Sequence, residues 1–140
     1  MSHKENLAKI RKEFGQYFNK YGVSNKAERT MDGIIFDSKL EMNRYAYLKM
    51  LESRGIITNL QRQFTFELVP KFECQGIKYR CVSYKADFSY DNKKGEWIIE
   101  DAKGTVTPEY RTKRAILLSS KHDFIFFEIK DANDIGGVIL

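Results

Sequence analysis

A chain of 140 residues, 42% hydrophobic and 14% aromatic, can bury a core of its own, which excludes a disordered chain and a disulfide-dependent mini-protein. Its formal net charge of +5 favours a polyanionic partner such as nucleic acid, although charge alone does not identify that partner. Cys74 and Cys81 are too few for a disulfide framework or a cysteine zinc site, so we expect free thiols.

The sequence shows no sign of a membrane or metal-histidine protein. No apolar run approaches the roughly 18 residues of a membrane span, and no apolar region follows the basic N-terminus as it would in a signal peptide. His3 and His122 lack the spacing of metal ligands. We therefore expect a cytoplasmic protein with no membrane partner.

The first predicted element is a basic amphipathic helix over residues 4–20. Its apolar residues recur at helical spacing, and lysines and arginines surround them. A solvated face of a packed helix, a DNA-contacting arm and a dimer contact all agree with this pattern. Residues 21–36 lose the helical period and form a basic connector with a turn. We assign residues 1–35 to this helix and connector, and residues 36–140 to the core of a single domain.

The second predicted helix begins near Phe36 and continues to about residue 54. Asp37 or Ser38 can cap it, and Ser38 and Glu41 have the S-x-x-E spacing of a capping box. Gly55 is suited to the left-handed conformation that commonly ends a helix. The apolar face is supplied by Leu40, Tyr47, Leu48 and Leu51.

Three strands, a basic helix and a last strand follow, at about residues 63–68, 78–90, 96–103, 108–120 and 124–129. The first strand alternates apolar and polar residues, whereas the last is nearly all apolar and is predicted to be buried on both faces. Consecutive strands favour a meander, and a strand reached through a helical crossover is expected to run parallel to its neighbour. The predicted fold class is α/β, of the α+β kind, with a sheet that mixes parallel and antiparallel strands.

An acidic and basic cluster is predicted on the second and third strands. Asp101 and Lys103 share one strand face, and Glu100 points to the other. Asp87, on the preceding strand, lies on the same side as either Asp101 or Glu100, because the strand register is open. Close carboxylates repel each other and suit Mg²⁺ or Mn²⁺, which with a lysine can hydrolyse a phosphodiester. A surface ion pair is the alternative for Asp101 and Lys103.

Glu41 adds a third carboxylate in the first turn of its helix, where capping alone would also explain it. Together these residues resemble the E…D…(D/E)xK signature of the PD-(D/E)xK nuclease superfamily. The predicted α-β-β-β-α-β order of residues 36–129 is similar to that superfamily's core. The stretches GIIFDSKLEMNRY, QRQFTFEL, YKADFSY and IIEDAKG resemble a phage-encoded family of predicted nucleases, itself similar to phage endonuclease-I resolvases and to endonuclease subunits of some transposases.

The resemblance implies a restriction-endonuclease-like core with an extra N-terminal helix, and a Mg²⁺-dependent DNA endonuclease that accepts Mn²⁺ as a substitute. It implies that Glu41, Asp87 and Asp101 hold the metal and that Lys103 is the catalytic lysine. Gln63 matches a glutamine often seen on the first core strand and is a candidate for shaping the site, although an outward polar residue explains it too. The sequence has Asp rather than Glu before x-Lys and lacks a proline before Asp87; the first is an accepted variant.

Basic residues after the third strand are candidates for DNA binding. Arg111, Lys113 and Arg114 follow the acid–lysine segment and would clamp phosphates, unless they form a solvated helix face. The resemblance admits a Holliday-junction resolvase, which a homodimer would suit, in a host cell's cytoplasm if phage-encoded. The alternatives are a nuclease of DNA processing or restriction acting on ordinary duplex, and a DNA-binding protein without catalysis.

Overall fold

The computed structural model describes residues 25–140 and shows a mixed α+β fold built on a mixed four-stranded sheet. The sheet order is β3-β6-β7-β8, and its strands are Thr58–Val69, Val82–Asp91, Trp97–Ala102 and Phe124–Ile129. Strands β3, β6 and β7 are antiparallel neighbours, as predicted for a meander. Strand β8 runs parallel to β7, as predicted for a strand reached through a helix.

The part of the chain that the structure describes contains two α-helices, α1 (Lys39–Ser53) and α2 (Pro108–Ser119). The predicted cap of α1 is confirmed, because the Ser38 hydroxyl accepts a hydrogen bond of 3.1 Å from the Glu41 backbone N–H. The predicted end is also confirmed, since Gly55 has a φ of +72° just after the helix. No helix among residues 25–140 is long and apolar enough to span a membrane. The helix predicted over residues 4–20 lies outside the described residues.

Two small two-stranded antiparallel ribbons were not predicted from the sequence. A 3₁₀ turn at Ala27–Arg29 precedes the first ribbon, and the ribbons pair β1 with β2 and β4 with β5. Their strands are Thr30–Met31, Ile34–Ile35, Phe72–Cys74 and Ile77–Tyr79. The single strand predicted over residues 78–90 is therefore wrong: Gln75 and Gly76, with φ of 50° and 77°, make a tight turn that pairs β5 back onto β4 before β6 begins.

The expectation of free thiols is confirmed for both cysteines, Cys74 and Cys81.

The sheet separates two apolar layers. On the side that we call the α1 face, Leu48 and Leu51 of the helix pack with Phe88, Tyr90 and Ile98 of the sheet. On the opposite side, the α2 face, the cluster contains Leu117 of the helix together with Tyr84, Ala86, Ile99 and Phe124. Covering both sides of the sheet buries residues 86–90 of β6 and residues 98–102 of β7, where polar side chains need partners.

The prediction that the last strand is buried on both faces is wrong. Strand β8 lies at the edge of the sheet, and Ile125 is 40% exposed. Phe126 and Phe127 are half-buried. An apolar run identifies a strand, but its place in the sheet depends on which strands pair with it.

Candidate active site

The register between β6 and β7 determines which acids meet. The last paired residues are Phe88 and Glu100, so the next step of the same register sets Asp87 opposite Asp101. The sequence left Asp87 beside either Asp101 or Glu100, and the structure places it beside Asp101.

Where the backbone hydrogen bonds between β6 and β7 end, the side chains of the two aspartates accept hydrogen bonds from backbone N–H groups instead. The Asp87 N–H donates to Asp101 Oδ1 at 3.0 Å, and the Ala102 N–H donates to Asp87 Oδ2 at 2.8 Å. Asp101 is fully buried, and its other oxygen, Oδ2, has no hydrogen-bond partner in the described part of the protein. A buried carboxylate oxygen without a partner is costly, so this atom identifies a place suited to a ligand with positive charge or a proton.

Glu41 reaches the same cluster from the first turn of α1. It is 3% exposed, and burial, followed by repulsion from Asp87, raises its pKa to about 7. Burial raises the pKa of Asp101 to about 6, and it raises the pKa of Asp87 as well. The positive charge of Lys103 offsets part of this rise in all three acids. The four predicted residues therefore form one electrostatic cluster.

Arg62 is a member of this cluster that the sequence analysis missed. Its Nη2 lies 3.7 Å from Glu41 Oε1, and its guanidinium lies 4.6 Å from the centre of the Phe36 ring. Its Nε is buried without a hydrogen-bond partner among the described residues. A signal was present, because Arg62 occupies an alternate position of β3 that is otherwise apolar, in line with Leu60 and Phe64.

Gln63, the residue predicted to shape the site, is exposed, and its backbone conformation is unusual. Its φ is 53°, a left-handed value unusual for a residue with a side chain, and it lies opposite Asp87 between two paired positions. Leu60 packs on the α1 face, whereas Phe66 packs on the α2 face although both have even numbers. The side-chain alternation of β3 therefore changes face around Gln63.

The same change occurs in β6. Phe88 and Tyr90 belong to the α1 face, whereas Tyr84 and Ala86 belong to the α2 face. Asp87 lies at the point of change. This irregularity, together with the end of the β6–β7 ladder, separates Asp87 and Asp101 from a regular alternating sheet.

Lys103 follows β7 and is half-buried. Its backbone N–H donates to the Ile129 carbonyl at 3.0 Å, and its Nζ lies 5.0 Å from the centre of the Tyr110 ring. The Tyr110 hydroxyl donates to Glu128 at 3.1 Å, and Arg114 pairs with the same carboxylate. Helix α2 therefore places the aromatic ring of Tyr110 beside the lysine ammonium.

The three residues predicted to bind DNA have different surroundings. Arg114 is paired with Glu128 and lies over the Tyr110 ring at 5.1 Å, so it is held within the fold. Lys113 Nζ lies 3.2 Å from Glu109, and Arg111 is exposed. Of the three, Arg111 is exposed, whereas Lys113 is half-buried beside Glu109.

Glu100 points away from the acid cluster, as predicted. It accepts hydrogen bonds from Arg44 Nε at 2.7 Å and Arg44 Nη2 at 2.6 Å, and the Tyr90 hydroxyl also donates to it. Arg44 in addition donates to the carbonyls of Ala132 and Asp134. Arg44 was not among the residues predicted from the sequence, although its spacing from Leu48 places it on the buried face of α1.

The donor set suits a divalent cation, although its present arrangement is not that of a metal site. Among residues 25–140, no group of three or more His, Cys, Asp or Glu side chains is arranged to hold a metal ion. Asp87 and Asp101 are turned towards backbone N–H groups, and Glu41 is turned towards Arg62. The unpartnered Asp101 Oδ2 and the carboxylate chemistry fit Mg²⁺ or Mn²⁺, which prefer hard oxygen ligands.

The protein is thus a mixed α+β protein in which three buried acids lie close to a half-buried lysine. A family model described as protein of unknown function, DUF1064, matches residues 18–132, and the chain belongs to this family. Comparison with curated proteins finds no match, and neither does comparison with solved structures.

Proposed function

We propose that this protein is a metal-dependent DNA endonuclease of the PD-(D/E)xK type, with a restriction-endonuclease-like core. The observation that carries the proposal is the meeting of Asp87 and Asp101 at the end of the β6–β7 ladder, with one Asp101 oxygen buried and unpartnered. Lys103 follows directly, and Glu41 approaches from α1. With a divalent cation, this set of groups can hydrolyse a phosphodiester.

Asp87, Asp101 and Glu41 would hold the cation through carboxylate oxygens. When bound, Mg²⁺ or Mn²⁺ lowers the pKa of a bound water and stabilises negative charge on a phosphoryl oxygen. The chain's own contribution is to bury these acids, which raises their pKa values in the metal-free protein and increases their attraction for a cation. In the metal-free protein, the Glu41 carboxylate forms an ion pair with Arg62.

Lys103 is assigned to the reacting phosphate and the attacking water. The stem of a half-buried lysine is restricted, and the Tyr110 ring supports its ammonium from one side. An ammonium in this position orients a water and neutralises charge that develops on the phosphate. Its proximity also offsets part of the rise that burial causes in the pKa values of Asp87 and Asp101.

The alternative of a DNA-binding protein without catalysis requires the acids and lysine to form a structural ion-pair cluster. The described contacts argue against that reading, because Asp101 Oδ2 has no partner and no hydrogen bond joins Lys103 Nζ to an acid in the described residues. A structural cluster is expected to satisfy its buried oxygens, as Glu100 does with Arg44.

The test is a cleavage assay on a four-way junction, a flap and a linear duplex, with Mg²⁺ and with a chelator. We expect cleavage that requires the metal and is lost in Asp101→Asn and in Lys103→Met. Asp123→Asn is the matched control, because Asp123 is an exposed acid before β8. Binding without cleavage of any substrate would establish the non-catalytic alternative instead. Preference for the junction would support the resolvase and its two-fold homodimer, whereas equal cleavage of linear duplex would favour a processing or restriction nuclease.

A further inference from the structure

A cleft beside the acid cluster has features that the proposed reaction does not use. It has a volume of about 240 Å³ and is lined by Tyr84, Lys85, Thr107, Glu109, Tyr110 and Lys113. Tyr110 contributes to both the cleft and the acid–lysine cluster. It lines the cleft, and the centre of its ring lies 5.0 Å from Lys103 Nζ. The cleft therefore adjoins the lysine side of the candidate active site.

The charge of the cleft favours an anion. Lys85 is exposed on β6, and Lys113 comes from α2; Glu109 is the acid among the lining residues. Glu109 pairs with Lys113 at 3.2 Å, but its side chain is 78% exposed and can turn away. The cleft also lies at the N-terminus of the 12-residue helix α2, where the helix dipole is positive.

Two of the first backbone positions of this helix offer no free donor. Pro108 has no N–H, and the Tyr110 N–H is already bonded to the Thr107 hydroxyl at 3.1 Å. Side chains are therefore needed as additional donors for an anion in the cleft. A further polar group of the lining is the Tyr84 hydroxyl.

Tyr84 supplies an independent sign of a ligand. It is 3% exposed, and its hydroxyl is buried without a hydrogen-bond partner in the described part of the chain. A tyrosine hydroxyl on an apolar layer normally finds a partner, because burying it unpaired costs free energy that a phenylalanine would not incur. In this cleft, an anionic oxygen would be such a partner.

We propose that the cleft binds a backbone phosphate of nucleic acid, next to the phosphodiester presented to the acid cluster, through Lys85, Lys113 and the Tyr84 hydroxyl. This inference rests on the proposed function for its substrate. It adds Lys85 and Tyr84 to the DNA contacts and retains Lys113, whereas Arg114 serves the fold through Glu128.

The experiment is binding of a short duplex in Ca²⁺, which often supports binding without cleavage, measured over a range of salt concentrations. We expect Lys85→Gln to weaken binding and to flatten the slope of log affinity against log salt by about one unit. Lys93→Gln is the matched control, because Lys93 is an exposed lysine in the turn after β6. Equal affinity and slope for the two variants would overturn the subsite.

Two further variants separate the subsite from general surface charge. Tyr84→Phe is expected to weaken binding without changing the salt slope, because the hydroxyl carries no charge, and to leave the protein at least as stable. Glu109→Gln is expected to strengthen binding more than Glu73→Gln, the matched change of an exposed acid on β4. Equal effects of the two glutamine variants would contradict a local site.

A duplex with one neutral methylphosphonate linkage, moved along the backbone, locates the contact. At the contacted phosphate, Lys85→Gln should lose no further affinity, whereas elsewhere the two effects should add. Cleavage in Mg²⁺ is measured separately. If the wild type binds at this phosphate but never cleaves, only the proposed function fails; if it cleaves and Lys85→Gln binds normally, only the subsite fails. A wild type that does not bind DNA overturns both.

Discussion

Two neighbouring residues of β7, Glu100 and Asp101, are both fully buried yet have opposite surroundings. Glu100 meets Arg44 through two short hydrogen bonds, and Tyr90 donates to it as well. Asp101 accepts one backbone N–H, and its second oxygen has no partner among the described residues. One strand therefore carries an acid paired with a guanidinium on one face and an acid with an unpartnered oxygen on the other.

The contrast separates structural acids from candidate functional acids. A buried acid with a matching guanidinium holds the α1 face and the C-terminal segment together. A cluster of acids with too few partners destabilises the fold, and such a cluster is expected where a ligand completes it. Burial alone does not distinguish the two; the count of partners does.

The largest expected effect is on cleavage by Asp101→Asn. Removing this charge should lower the rate in Mg²⁺ by roughly 10²-fold or more, because the carboxylate would act on the reacting centre. Calorimetry with Mn²⁺ should show weakened binding in the same variant. Cleavage and Mn²⁺ binding at the wild-type level would remove Asp101 from the site.

The next effect is on stability, and it concerns Arg44. Arg44→Met leaves Glu100 buried without its cation, and we expect a loss of about 3–5 kcal/mol in the free energy of unfolding. Urea denaturation measures it. The variant with both Arg44→Met and Glu100→Leu should recover part of this loss, because neither buried charge remains. A loss below about 1 kcal/mol for the single variant would show that the pair is not structural.

The acid cluster should make the metal-free protein less stable as the pH rises. Glu41 has a folded-state pKa of about 7, above its ordinary value of 4.5, so the folded state binds the proton more tightly. Stability is therefore highest below about pH 4.5 as far as this group is concerned, and is lost as the pH rises to about 7.

Glu41→Gln tests this dependence. It should raise the free energy of unfolding above pH 7 by about 1–3 kcal/mol in a chelator, and the difference should vanish at low pH. Thermal unfolding at several pH values measures it. Glu52→Gln, in the last turns of the same helix, is the control, and an equal gain in that variant would contradict the assignment.

The smallest effect concerns Gln63. Glycine adopts a φ of 53° without strain, so Gln63→Gly should change stability by less than about 1 kcal/mol and should preserve cleavage. Gln63→Ala keeps the strain and also removes the side-chain amide. Loss of cleavage in Gln63→Gly would show that the amide, and not the backbone conformation, shapes the site.

Much of the local structure followed from the sequence. Ser38 and Gly55 correctly marked the ends of α1, because caps depend on residues a few positions apart. The period of two correctly placed Glu100 on the face opposite Asp101. Local reasoning brought Asp87, Asp101 and Lys103 near one another, and the resemblance to the PD-(D/E)xK signature added Glu41 to the candidate cluster.

Only the tertiary structure decided which of these residues have partners. Arg44 and Glu100 are 56 residues apart, and no local pattern links them. The register that sets Asp87 against Asp101, the change of face at Gln63 and the edge position of β8 all depend on pairing between separate strands. A sequence determines a side chain's chemistry and its local face, whereas the packing of distant segments determines whether its charge is neutralised.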